Sequence, residues 1–301
     1  MGRTAVIGVV FVDVKGFPHG KYIPTGRNIG DVRIVHGGVS RNVAQNLANV
    51  GNDVTFVTMF EPDALGSGVR ANLAANGVDL TYAIEAPAGM GIWLAVMNEN
   101  GDLAGSISRQ PDSSRLDALF QERGDEIMQN CDDVVLEIDM RASIADRVFE
   151  LAEKHRRDIY VIVGNMGVIL KRQALLSRAR LIVMNEIEAG LLFGCTLDPA
   201  DPERVLEVTR MEAKKRDLKQ IVVTLGVHGS IYFDSRNGDA GFVPAEPTRL
   251  VDSTGAGDAF FSGTVDGLIH GMSLRDACAR GAHLASLTIQ TEENTCPRIH
   301  N

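Results

Sequence analysis

The 301-residue chain is short of cysteine, of aromatic side chains and of positive charge, and it has no long apolar run. Its four cysteines, Cys131, Cys195, Cys278 and Cys296, stand far apart with no C-x-x-C pair. That excludes a disulfide framework and a zinc site of the usual spacing, and the thiols read as reduced and mostly core. Acidic residues outnumber basic ones 39 to 30, for a net charge of −9. Such a balance argues against a broad surface for a nucleic acid polymer, although a small nucleotide can still bind at local N–H donors. No stretch approaches the roughly 18 apolar residues of a membrane span. Asp13 interrupts TAVIGVVFVDV too early for a signal peptide. The expectation is a cytoplasmic protein with no membrane partner, acting on a small molecule.

What is present is the composition of an α/β protein. With 45% hydrophobic residues, the chain can bury a large core as one large domain or two smaller ones. Short β-rich apolar runs at 4–10, 53–60, 132–138, 159–164, 180–185, 220–226 and 229–234 alternate with helical patterns near 40–49, 64–76, 142–156, 202–216 and 258–270. That alternation predicts a mostly parallel sheet with helices on both faces. Two segments break the rhythm: 15–36, rich in Gly and Pro, and 80–111, which reads as a hairpin turning at Asn100-Gly101. They predict a small β-lid, with the core formed from 1–14, 37–79 and 112–301.

The most informative segment is DSTGAGDAFFSG at 252–263, a Gly-rich turn opening an apolar helix. Backbone N–H groups of Gly255, Ala256 and Gly257 would point along the helix axis, where unpaired first-turn donors attract anionic oxygens. Asp258 in the same place would repel a phosphate, but it suits removal of a proton from a hydroxyl that attacks phosphorus. An ordinary Gly-rich helix start, with Asp258 favouring the dipole, is the plain alternative. HGGVSRNVAQNLANVG at 36–51 places Gly38 and Asn42 where a strand meets a tightly packed helix, and Asn42 either binds a hydroxyl or caps a turn. VMNEIEAG offers Asn185, Glu186 and Glu188 at a strand's carboxyl end, oxygen donors adequate for Mg²⁺ or merely a helix start decorated with acids. VVTLGVHGS puts Thr224, Gly226 and Gly229 in a turn that either cradles nucleotide phosphates or is a plain hairpin. The run at Gly66–Ala71 fits a loose G-x-G-x-x-G/A pattern, yet EPDAL separates it from the preceding strand, which argues against a dinucleotide site.

Together GGVSRNVAQNLANVG and DSTGAGDAFFSG resemble the paired signatures of the PfkB, or ribokinase-like, family of sugar and nucleoside kinases. Asp63 and Gly66, GVD at 77–79, NEIE and VTLGVHGS resemble its intervening motifs in the same order. The resemblance implies a three-layer α/β/α core with a β-lid over the acceptor site. It also implies an ATP-dependent kinase acting on a primary hydroxyl, with Asp258 as base and Gly255, Ala256 and Gly257 stabilising the transferring phosphoryl group. By the same resemblance Asn185 and Glu188 would hold Mg²⁺ largely through water, Thr224, Gly226 and Gly229 would line the ATP site, and Asp252 and Thr254 would mark a potassium site. Asp13, placed at the end of the first strand, would grip the acceptor's hydroxyls with Gly38, Arg41, Asn42 and Glu137. Phe11 and Val39 depart from the ribokinase branch, and GGVSRN is closer to pseudouridine kinases, which tilts the acceptor slightly toward a nucleoside over a free furanose such as ribose or fructose. A homodimer through the lid is the expected assembly. Two rivals stand: a catalytically inactive relative acting as scaffold or regulator, which usually loses the aspartate or glycines retained here, and a nucleotide-linked oxidoreductase, resting only on 66–71.

Overall fold

A computed structural model describes residues 2–299. In chain order the first elements are β1 (Arg3–Ile7), β2 (Phe11–Pro18), β3 (Gly30–Gly37), α1 (Val39–Asn49), β4 (Asp53–Val57), β5 (Met59–Phe60), α2 (Ala64–Ala75), β6 (Ile84–Glu85), β7 (Gly91–Met97) and β8 (Leu103–Arg109). They are followed by α3 (Ser114–Gln129), β9 (Asp133–Glu137), α4 (Ala142–His155), β10 (Asp158–Ile162), the short α5 (Met166–Ile169) and α6 (Gln173–Leu176), β11 (Leu181–Asn185), α7 (Glu186–Phe193) and α8 (Pro202–Lys215). The last are β12 (Gln220–Thr224), β13 (Ser230–Asp234), β14 (Ala240–Val243), α9 (Ala256–Ile269) and α10 (Leu274–Thr288).

Eight strands form one sheet in the order β14-β13-β12-β11-β10-β9-β1-β4. Every pairing from β12 through to β4 is parallel, and β13 and β14 add an antiparallel edge. Successive strand residues point to opposite faces, so each strand feeds two cores. Ile7, Val134, Leu136, Val161 and Ile182 pack into a core shared with Leu116, Phe120, Val148 and Phe149 of α3 and α4. Val6, Phe56, Val135, Tyr160 and Val222 pack on the other face with Leu47 of α1 and Phe261 and Val265 of α9. This is the three-layer α/β/α arrangement. Local chemistry starts the helices: Asp63 accepts from Gly66 N–H at 2.8 Å ahead of α2, Asp201 caps α8 with Pro202 at its first position, and Ser273 caps α10. The glycine run at 66–71 lies inside α2 and forms no phosphate turn.

A second sheet has the order β3-β2-β7-β8. Its strands fall at 11–18, 30–37, 91–97 and 103–109, and β7 and β8 are joined by a turn in which Gly101 has φ 84. One consequence corrects the expected placement of Asp13: β1 ends at Ile7, and Asp13 sits within β2, in register with Trp93 of β7. Between β1 and β2, the irregular Gly8, Val9 and Val10 carry the chain from the large sheet to the second. Phe11, Asp13, Trp93 and Ser108 share the face turned to the cavity described below. The alternate row, Ile34, Val14, Leu94 and Ile107, runs in register across all four strands on the opposite face. There Ile34 is 57% and Ile107 70% exposed.

Candidate active site

A cavity of about 1060 Å³ opens between the two sheets. Its wall carries Phe11, Asp13, Gly38, Asn42, Trp93, Glu137, Thr254, Gly255 and Asp258, all drawn from segments singled out by sequence, and adds Gln110, Asp139, Asn165, Arg172 and Asn294. Folding therefore brings the early signature, the late signature and the second sheet to one space.

The late signature forms the floor. Gly255 precedes α9 with φ 80, and a Cβ there would collide with the Asn294 carbonyl, so both conformation and space demand glycine. Gly257 meets nothing within 4 Å where its Cβ would stand. Among the described residues the N–H groups of Gly255 and Gly257 have no acceptor, whereas Ala256 N–H makes a long 3.3 Å contact to the Ser253 carbonyl. Free donors at a helix N-terminus attract an anion. Asp258 lies in the first turn of α9, and its Oδ2 accepts a 2.7 Å hydrogen bond from Asn42 Nδ2. Burial pushes the Asp258 carboxyl up to about 7, opposed by the Asn42 donor and the Arg41 charge and assisted by Glu188. A carboxyl poised near neutrality, beside free donors and open to a cavity, can accept a proton from a bound hydroxyl.

The early signature supplies the opposite wall. Gly38 has φ 96, and a Cβ would stand 2.8 Å from Phe11 N and 3.0 Å from Val9 O, where β2 departs. Glu137 ends β9 and accepts from Ser40 Oγ and from Val9 N–H at 3.1 Å. Burial raises its carboxyl well above the usual range, with Asp139 adding to the effect. Burial likewise raises Asp13, against the pull of Lys15 and Arg41. Arg41 is not on the cavity wall: at 3% exposure its guanidinium lies behind Asn42.

Asn185, Glu188, Thr224, Gly226 and Gly229 lie outside that cavity wall. Asn185 and Thr224 end adjacent parallel strands in register, and Gly226 and Gly229 take φ 57 and 93 in the turn that follows. Asn185 and Glu188 form a reciprocal capping box on α7, Asn185 N–H donating to Glu188 Oε2 at 2.9 Å and Glu188 N–H to Asn185 Oδ1 at 2.8 Å. Among the described residues no three His, Cys, Asp or Glu side chains gather as a protein-only metal cage. Among the described residues Glu188 Oε1 takes no hydrogen bond, and one such carboxylate oxygen would suit Mg²⁺, which keeps most of its waters. At Asp252, burial favours the neutral acid, but hydrogen bonds from Thr254 and the charges of Lys15 and Arg33 outweigh it and hold the carboxyl low.

Sequence reasoning missed Asp139, Asn165, Arg172, Trp93 and Asn294. Arg172 is anchored by the Ile138 and Met140 carbonyls at 3.0 and 2.8 Å, and Asn165 caps α5. Asp139, Asn165 and Arg172 follow β9 and β10 at the carboxyl edge of the sheet, and that position is the one signal that points to them.

Comparison with known proteins agrees with this geometry. The pfkB family carbohydrate kinase pattern matches residues 1–298. A guanosine-inosine kinase of Exiguobacterium acetylicum is 33% identical over 295 residues, covering 98% of this chain and 96% of the relative. A pseudouridine kinase of Escherichia coli K12 is 22% identical, with 98% and 93% covered. Among solved structures, an Arabidopsis thaliana ribokinase in complex with ribose and ATP superposes with a TM-score of 0.84 at 22% identity, covering 99% of this chain and 96% of that one. The chain belongs to the pfkB family of carbohydrate kinases, and it is an ATP-dependent kinase of a sugar or nucleoside.

Proposed function

We propose that the acceptor is a nucleoside, phosphorylated on its primary hydroxyl, with Asp258 as the general base. The observation that carries this reading is the cavity itself. Its 1060 Å³ extends from the second sheet past Asp258 to Thr254 and Gly255, and none of Asn185, Thr224, Gly226 or Gly229 touches it. A free furanose would leave most of that space to water, whereas a ribosyl group held by Asp13, Gly38, Asn42 and Glu137 leaves room for a base. Phe11 and Trp93 offer aromatic surface to the base, and Asp139, Asn165 and Arg172 offer polar edges. The relatives named for guanosine, inosine and pseudouridine point the same way.

In this mechanism the acceptor hydroxyl gives its proton to Asp258 as its oxygen bonds to the γ-phosphorus of ATP, and the bond from that phosphorus to the ADP oxygen breaks. N–H groups of Gly255 and Gly257, with Ala256 at longer reach, face the transferring oxygens. Thr224, Gly226 and Gly229 line the nucleotide side. Glu188, with Asn185 shaping its turn, would hold Mg²⁺, which neutralises charge on the triphosphate when bound. Asp252 and Thr254 are the residues for a monovalent cation such as potassium. The second sheet acts as a lid, its outward apolar row joins two copies of the chain, and the kinase works in the cytoplasm.

The test is acceptor-dependent ADP release with Mg-ATP across guanosine, inosine, pseudouridine, ribose and fructose, with Asp258→Ala alongside. A purine or pyrimidine nucleoside preferred over both free sugars, with activity lost in the variant, is expected. Preference for ribose or fructose would overturn the nucleoside assignment.

A further inference from the structure

We infer that Arg41 is a positioning residue, a buried guanidinium that fixes the side-chain amide of Asn42 so that its N–H can only face Asp258. This rests on the kinase reading for its functional consequence, but the geometry stands without it.

Arg41 Nη1 donates to Asn42 Oδ1 at 2.9 Å, to Asn294 Oδ1 at 3.1 Å and to the His36 carbonyl at 3.2 Å, and Nη2 donates to Asn72 Oδ1 at 2.9 Å. Every one of these acceptors is a neutral amide oxygen. Arg41 Nε has no partner among the described residues. A guanidinium that is 3% exposed and unpaired with a carboxylate is a costly group, since a buried charge held only by neutral dipoles loses more hydration than it recovers. Burial lowers its pKa to about 10, against the raising fields of Glu293, Asp258 and Asp13. An apolar side chain of similar length would pack there at less cost, so the charge has a use beyond packing.

That use is visible one residue along. An asparagine amide presents an acceptor on one side and donors on the other, and its orientation is set by its neighbours. With Oδ1 held against the Arg41 guanidinium, Nδ2 lies against Asp258 Oδ2 at 2.7 Å. The reverse orientation would set Nδ2 against a cation and Oδ1 against a carboxylate, and both contacts repel. Arg41 thereby selects the form of Asn42 that donates to ionised Asp258, and it adds a positive field at the same carboxylate. The same guanidinium ties the end of β3 through His36, α2 through Asn72 and the C-terminal segment through Asn294, whose backbone carbonyl abuts Gly255.

The charged groups facing Asp258 are Arg41 of α1, Glu188 of α7 and Glu137 of β9. Only the first favours the ionised form. Arg41→Met therefore raises the Asp258 midpoint, and by about one unit or more for loss of a nearby opposite charge. The activity-independent measurement is a ¹³C NMR titration of the Asp258 carboxyl without substrate, its signal identified by its loss in Asp258→Asn. Alongside it, the acid limb of kcat/KM moves to higher pH, kcat/KM near pH 7 falls about 10²-fold for a misplaced reacting group, and Arg41→Lys, which keeps the charge but not the fork, recovers part of both. If Arg41→Met does not fold, Arg41→Lys and Asn72→Leu, which removes the Nη2 acceptor, give smaller shifts in the same direction. An Asp258 midpoint unmoved in the folded variants, with only thermal stability reduced, would make Arg41 structural and overturn the proposal. A shifted midpoint in a protein that phosphorylates no acceptor would instead sink the kinase assignment of Asp258 and leave the positioning role intact.

Discussion

Asp258 is the carboxyl proposed as the base, and its buried environment makes two measurements separable. Its pKa is pushed up to about 7, chiefly by burial. If Asp258 is the base it must be ionised, so kcat/KM is then expected to rise with pH along a one-proton limb with its midpoint near 7. Stability runs the other way. The folded state holds this proton more tightly than the unfolded chain, whose aspartate titrates at about 4. The group's contribution is thus full below pH 4 and is lost as pH rises through 7. Asp258→Asn resembles the protonated acid in shape and can still accept from Asn42. It is expected to cost about 10²–10⁴ in rate, while its melting temperature exceeds that of the unmodified protein at pH 8 and matches it near pH 4. A melting difference independent of pH, or full activity in the variant, would show that Asp258 is not the titrating base.

At the scale of elements, the seven strands β1, β4 and β9 to β13 were legible because their apolar runs are continuous, as expected for strands buried on both faces. Strands β2 and β3 were not: FVDVKGFP mixes a glycine, a proline and two charges, because one of its faces looks into a polar cavity. Helix α3 was also missed, although Leu116, Leu119, Phe120 and Ile127 carry a helical spacing. Helix α10 buries Leu274, Ala277, Cys278, Gly281 and Leu284 at helical spacing, but the small residues among them leave only a weak apolar signal, and it was not read. Cavity-lining residues embedded in local motifs, such as Gly38, Asn42 and Asp258, were legible, whereas Asp139, Asn165 and Arg172 sit in irregular segments whose convergence depends on the whole sheet. The turn into α7 shows how one motif carries two readings. Its capping box explains Asn185 and Glu188 without any ligand, yet glutamine caps as well as glutamate. Glu188→Gln therefore separates the two. If Glu188 holds Mg²⁺, the variant keeps its melting temperature, needs several-fold more Mg²⁺ for half-maximal rate, and shows a weaker Mg²⁺ dependence of ATP binding by calorimetry. Unchanged values for both would assign the pair to capping alone.

At the scale of the whole molecule, the second sheet has two faces of different character. Its inner face holds Asp13 and Trp93 over the cavity, and its outer face carries the in-register row Ile34, Val14, Leu94 and Ile107. Strands β3 and β8 are its open edges. Ile34, Leu94 and Ile107 of that row are exposed, and an exposed apolar stretch of sheet invites pairing with another copy. If two such faces join, the particle has twice the 32.5 kDa mass of the chain, and the contact persists in high salt because it is apolar rather than ionic. Ile34→Glu with Ile107→Glu places charges on residues that a single copy already exposes, so the fold should survive while the pair separates. Light scattering after gel filtration at micromolar concentration checks both states. Because the same strands position Asp13 and Phe11, the separated form is expected to show a raised acceptor KM with little change in the KM for ATP. A monomeric unmodified protein, or a dimer that tolerates both glutamates, would remove this face from the assembly.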